Sequence, residues 1–102
     1  RSFLGKDFIK KIDLSLNLIE SIEEEGFYGL NGLNELDLSL NEITNLKRRT
    51  FSGLDNLKKL DLSSNNIESI EEEVFYDLEG LNELFLYRNK IKLVKEKLFF
   101  GL

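Results

Sequence analysis

The chain has 102 residues, of which 41% are hydrophobic and eight are Phe, and a formal net charge of −5. That suits one small folded domain and is the wrong sign for wholesale nucleic-acid binding, so no nucleic-acid partner is expected. Cys and His are both absent, which removes disulfides, thiol nucleophiles, imidazole bases and soft metal sites. No apolar run approaches the ~18 residues of a membrane span, so no membrane insertion by this segment is expected.

Along the chain, residues 1–8 align with 49–56: Arg1, Phe3, Gly5 and Asp7 fall on Arg49, Phe51, Gly53 and Asp55. They read as the tail of a preceding repeat, with Lys6 in place of Leu54. From residue 9 an apolar pattern recurs every 24 residues, giving repeats 9–32, 33–56, 57–80 and 81–102. Each repeat opens on an L-x-x-L-x-L pattern, as in Leu33, Leu36 and Leu38. This alternation predicts a short strand with one buried face. Strands 24 residues apart cannot be joined by tight hairpins and are expected to stack in parallel. The ninth position is Asn17, Asn41, Asn65 and Asn89. An amide both donates and accepts, so a column of them predicts a ladder that satisfies backbone groups of adjacent coils. Phe27, Phe51, Phe75 and Phe99 recur at the nineteenth position, Val94 continues the fourteenth and Leu102 closes the last unit. The Phe column should fill a wider convex side made of loops or short helical turns. One coil cannot bury its apolar face alone, whereas stacked neighbours can.

The stretches LNELDLSLNEITNLKRRTFSGL and LKKLDLSSNNIESIEEEVFYDL resemble typical-class leucine-rich repeats of the kind found in Toll-like receptor, Slit and variable lymphocyte receptor ectodomains. The resemblance covers the whole chain. It implies an α/β fold, a curved leucine-rich-repeat solenoid segment with a parallel sheet on its concave face, and a single domain over residues 1–102. The Cys-rich caps common in that family are absent, as are Pro and any N-x-S/T sequon.

A longer period lies inside the shorter one. Repeat 1 matches repeat 3 at 17 of 24 positions and repeat 2 at 9. The word ESIEEE occurs at Glu20–Glu25 and Glu68–Glu73, while repeat 2 carries TNLKRR and repeat 4 KLVKEK at the same place. Alternation of acid and base down a stack replaces like-charge repulsion by attraction and disfavours a slip of one repeat. Glu23, Glu24, Glu25, Glu71, Glu72 and Glu73 are therefore expected to approach Lys47, Arg48, Arg49 and Lys95 or Lys97.

On the concave face Lys11, Glu35, Lys59 and Glu83 should sit side by side on neighbouring strands. Asp13, Asp37 and Asp61 form a column ending at Phe85, and Ser15, Ser39 and Ser63 one ending at Tyr87. These Asp and Ser residues read as solvent-facing, without the positioned base that catalysis requires. Linear Glu runs do not converge as a calcium site requires. No enzyme activity, cofactor or metal is expected.

Phe85, Tyr87 and Arg88 break three columns in one repeat and should be exposed; aromatic residues and Arg are common interface anchors. Leu16, Leu18 and Leu40 offer a second apolar patch. The partner-binding set is thus Phe85, Tyr87, Arg88, Glu83, Lys59, Glu35, Lys11, Leu16 and Leu40. The expected function is recognition of a protein ligand by the concave face. The resemblance places it in a receptor or secreted recognition protein, extracellular or on the cell surface, in innate immunity or cell-surface signalling. The alternative is a structural segment that self-associates through uncapped ends.

Overall fold

The computed structural model describes residues 9–92. The tail at residues 1–8 and the positions Val94, Lys95, Lys97, Phe99 and Leu102 lie outside the described residues. Strands β1 (Lys11–Asp13), β2 (Glu35–Asp37), β4 (Lys59–Asp61) and β6 (Glu83–Phe85) form one parallel sheet in the order β1-β2-β4-β6. The register follows the 24-residue period: Lys11, Glu35, Lys59 and Glu83 are neighbours, as are Ile12, Leu36, Leu60 and Leu84. Each of these strands has three residues, and its middle side chain is the one that turns inward.

Between those strands the chain runs over the convex side. There, β3 (Asn45–Leu46) and β5 (Ser69–Ile70) pair in parallel as a second, two-stranded sheet. The rest of that side is built from successive i to i+3 turns, and the described residues contain no helix. In one such run the N–H of Tyr28 donates to Glu25 O at 3.1 Å, and that of Leu30 to Phe27 O at 3.3 Å. Beneath the turns, Phe27 stacks on Phe51 and Phe51 on Phe75, with centroids 6.2 Å apart in both pairs. Leu33, Leu57, Leu36, Leu60, Ile43 and Ile67 complete a core that is closed in the two middle coils. In the first coil Phe27 and Leu30 are buried, but Ile9, Ile12, Leu14, Ile19 and Ile22 are only partly covered, as are Leu81, Leu84, Leu86 and Ile91 of the fourth.

The Asn column makes the ladder that the spacing predicts. The amide nitrogen of Asn65 donates to Leu62 O and Ser63 O in its own coil, and to Leu38 O of the coil before at 3.0 Å. Its oxygen accepts the N–H of Ile43, again in the coil before, at 3.1 Å. Asn41 repeats this with Leu14 O and the N–H of Ile19, and Asn89 with Leu62 O and the N–H of Ile67. Asn17 donates within its own coil, to Leu14 O and Ser15 O.

The residue before each Asn holds a left-handed backbone. Leu16, Leu40, Ser64 and Arg88 have φ of 59, 57, 57 and 59°. For a non-glycine residue this costs on the order of 1–2 kcal/mol. The cost recurs because it swings the next side chain inward, where the amide closes bonds to two coils.

Replacing Asn65 by Ala strands a buried N–H and several carbonyl oxygens. At about 1–3 kcal/mol for a buried group left without its partner, the loss should reach about 3 kcal/mol or more. Asn17→Ala, at an exposed position with bonds to one coil, should cost under about 1.5 kcal/mol. Urea denaturation of the two variants measures the difference.

Candidate functional site

The concave sheet presents its side chains in rows. Among them, Lys11 pairs with Glu35 at 3.7 Å, with both side chains well exposed. Exposure keeps such a pair weak, within about 0–1 kcal/mol. Lys59 lies in the same row but turns elsewhere. Its ammonium sits 5.8 Å from the centre of the Phe85 ring, within range of a cation–π contact. Phe85 stands two residues beyond Glu83 on the adjoining strand, a diagonal that a long side chain spans.

The Asp and Ser columns are joined to each other. The Ser15 hydroxyl donates to Asp13 Oδ1 at 2.6 Å and its N–H donates to the same oxygen at 2.9 Å. Asp37 with Ser39 and Asp61 with Ser63 repeat the bracket. Two of these serines are not solvent-facing: Ser39 is 7% and Ser63 2% exposed, while Ser15 is half-buried. The bracket folds each hydroxyl back under its own carboxylate, and the next coil covers it. The hydroxyl bond from Ser15, then the one from its N–H, hold the Asp13 carboxyl below its ordinary value. Desolvation opposes them, and the charge of Lys11, the smallest of these effects, lowers it further. Together Lys11, Asp13, Glu35, Asp37, Lys59 and Asp61 rim a shallow depression floored by Ile12 and Leu36. One oxygen of every carboxylate in the Asp row is engaged by its serine, so the row caps strand ends. Among the described residues no group of three acids stands close enough to hold a metal ion.

Phe85 and Tyr87 occur where the fourth coil abandons the Asp–Ser bracket. Their rings meet edge to face, 6.4 Å apart at 81°. Tyr87 is 60% exposed and Arg88 is exposed. Phe85 is half-buried rather than exposed, because Lys59 and Tyr87 lean against it. Leu16, Leu40 and Arg88 do not share the flat of the sheet. They occupy the left-handed turns just past the strand ends, with Leu16 and Leu18 about four-fifths exposed and Leu40 about half.

Among the described residues of the convex side, one acid–base contact forms between side chains and another between a side chain and the backbone. Arg49 pairs with Glu25, whose N–H also donates to Arg49 O at 2.8 Å. Glu71 Oε1 instead accepts the Arg48 N–H at 2.8 Å. Lys47 meets no carboxylate among the described residues, and the approaches expected of Lys95 and Lys97 lie outside them. Thr50, which the columns do not single out, is 1% exposed and its hydroxyl oxygen accepts the Lys47 N–H at 3.2 Å. No periodic signal marks it, because Gly26 and Val74 stand at the same place.

Comparison with known proteins agrees with this architecture. The leucine rich repeat family model matches residues 9–67 and 55–102. A chain of the TLR13–ssRNA13 complex is 34% identical with a TM-score of 0.94, over 99% of this chain and 14% of that one. A chain of the Drosophila Toll–Spatzle complex, a hub in development and innate immunity, is 31% identical with a TM-score of 0.80. That match covers 84% of this chain and 12% of that one. The chain therefore spans about one seventh of the first and one eighth of the second. No curated protein matches the chain.

Because its folded carboxyl is depressed, Asp13 contributes stability that is present above the ordinary carboxylate value of about 3.9. That contribution is lost as pH falls through the lower folded value. Carboxyl-carbon NMR titration should place Asp13 below that ordinary value, and Ser15→Ala should move it upward.

Proposed function

The chain belongs to the leucine rich repeat family, and from that premise we propose that it is a non-catalytic partner-binding segment of a Toll-like ectodomain. On this reading residues 1–102 are one repeat domain, with units at 9–32, 33–56, 57–80 and 81–102 behind the tail of an earlier repeat. Its location is extracellular or at the cell surface, and its role is recognition in innate immunity or cell-surface signalling.

The observation that carries the reading is the break in the concave columns at the fourth coil. Three coils bracket Asp to Ser; the fourth replaces the bracket with an exposed Tyr87 against Phe85, beside Arg88. A surface that served only to cap strand ends would have kept the bracket. Exposed aromatic area beside a guanidinium is the chemistry of an interface anchor. The rigid ladder beneath fixes these side chains before any partner arrives, which lowers the ordering cost of binding. Lys11, Glu35, Lys59 and Glu83 set charge selectivity around the anchor, with Leu16 and Leu40 at its far margin.

The partner is a protein. Of the two neighbours, one is solved with single-stranded RNA and the other with Spatzle; a net charge of −5 on one segment does not by itself decide between these classes. Asp61, the strand neighbour of Phe85, and Glu83 on the same strand offset the charges of Lys59 and Arg88 beside the aromatic pair, which suits a protein surface better than a phosphate backbone.

The test uses full-length protein immobilised against a secreted-protein fraction. Phe85→Ala with Tyr87→Ala should weaken capture by roughly thirtyfold, the scale of an interface hot spot. Tyr28→Ala, on the convex side, should leave it unchanged. Retention of mixed-sequence single-stranded RNA, lost in the same double variant, would overturn the protein reading.

A further inference from the structure

Each coil enters its next concave strand through the same short turn. The N–H of Leu33 donates to Leu30 O at 3.1 Å, that of Leu57 to Leu54 O at 3.2 Å and that of Leu81 to Leu78 O at 3.1 Å. The two residues inside these turns are Asn31-Gly32, Asp55-Asn56 and Glu79-Gly80. One period earlier the first of these places is Asp7. At 7, 55 and 79 this place is thus an acid, and at 31 alone it is an amide. Asn followed by Gly occurs nowhere else in the chain.

The surroundings of Asn31 leave its side chain and the next nitrogen open to each other. Asn31 is exposed. Neither its carboxamide nor the Gly32 N–H has a hydrogen-bond partner among the described residues. Gly32 has no Cβ to shield its own nitrogen. The Asn31 carbonyl, by contrast, is held from the next coil, where Asn56 Nδ2 donates to it at 2.7 Å.

We propose that Asn31 is a self-modification site, at which the Gly32 nitrogen expels ammonia and the carboxamide becomes a carboxylate. The Gly32 nitrogen gives up its proton and bonds to Asn31 Cγ. The Cγ–Nδ2 bond breaks, and Nδ2 leaves with that proton as ammonia. Water, the only other reactant, then opens the five-membered succinimide at either carbonyl. Opening at Cγ leaves Asp at 31, and opening at the backbone carbonyl leaves isoaspartate, with the main chain running through Cγ.

Asn56 assists this step. Loss of the amide proton puts negative charge on the Asn31–Gly32 peptide, and resonance shares it with Asn31 O. A donor already set on that oxygen stabilises the charge as it develops. Because the donor comes from the next coil, the assistance exists only while the two coils are stacked. The sister turns lack these conditions. Asp55 offers a carboxylate, a poor electrophile, and Asn56 after it carries a Cβ; Glu79 is one methylene too long for the five-membered ring. The Asp product gives residue 31 the acid found at 7, 55 and 79, and makes the net charge of −5 one unit more negative. The isoaspartate product lengthens by one atom the turn that the Leu33 N–H closes, beside a fully buried Leu33 side chain.

Incubation of the full-length protein at mildly alkaline pH, followed by peptide mass spectrometry, tests the proposal. Asn31 should gain about one dalton, about tenfold faster than the exposed Asn45, which precedes Leu46. An isoaspartyl-specific methyltransferase should label the same peptide. Gly32 is not among the residues of positive φ, so Ala fits its backbone, and Gly32→Ala should slow the reaction by about tenfold or more. Asn56→Ala should slow it by about fivefold in the folded protein and leave it unchanged in urea, where the coils no longer stack. Circular dichroism checks folding, and if Asn56→Ala unfolds, Asn56→Asp, which keeps the size and removes the donor, gives the same reading. An Asn31 that survives while Asn45 converts, a rate indifferent to Gly32→Ala, or a folded protein without the Asn56 donor that reacts as fast as the unmodified one would overturn it.

Discussion

One side chain sets the terms for everything else. Four times an Asn is turned beneath the end of a strand, and three times its amide closes bonds in both directions to the coil before it. Those bonds fix the spacing of the coils and consume backbone groups that a bend in the chain would otherwise bury unpaired. The left-handed residue preceding each Asn is the local strain that makes the bend possible. It persists because the surrounding bonds over-determine it. Once coils are held at strand spacing, leucine meets leucine and phenylalanine meets phenylalanine with no further specification, and the core follows.

A second constraint acts over two coils. Odd and even repeats differ on the convex side, and the structure gives that difference physical content. Glu25 and Glu73 have left-handed backbones, whereas Arg49 does not. The Tyr28 ring lies over Gly53, where a Cβ would stand 2.9 Å from it, and Gly53 itself has φ of 91°. Acid on one coil and base on the next is thus one part of a broader lock-and-key between unlike neighbours, which also includes ring on glycine. Individually the exposed charge pairs contribute little. Collectively these features tell one kind of coil from the other, so a coil shifted by one place meets the wrong neighbour.

Columns were legible in the sequence; choices within columns were not. The period of 24 is enough to give the parallel sheet, its register, the Asn ladder and the Phe stack, because each depends only on which Cα lies beside which. It does not say that Lys59 prefers the Phe85 ring to Glu83, or that Glu71 prefers a backbone N–H to the side chain of Arg48. Those are rotamer decisions among partners within equal reach. Ser39 and Ser63 read as surface residues because alternation puts them outward; their burial comes from a two-residue bracket to Asp, which alternation does not describe. Thr50 carries no signal at all, since its counterparts in the other coils are of different types. The candidate recognition residues were found because Phe85, Tyr87 and Arg88 interrupt columns, and interruption is visible in a repeat where it would be invisible in an ordinary domain.

The Asn ladder also has a direction. The amides of Asn41, Asn65 and Asn89 each belong to one coil and serve the coil before it, never the one after. If the fourth coil is pulled away, Ile67 loses the acceptor for its N–H and Leu62 one donor to its carbonyl, so the newly exposed face is worse off than before. If the first coil is pulled away, Asn41 keeps its bonds to Leu38 and Ser39, and the second coil retains its own bend. The fabric is laid like roof tiles: parting any two coils breaks the same pair of amide bonds, but the coil that carries the Asn keeps its bend while the coil before it is left with a bare N–H.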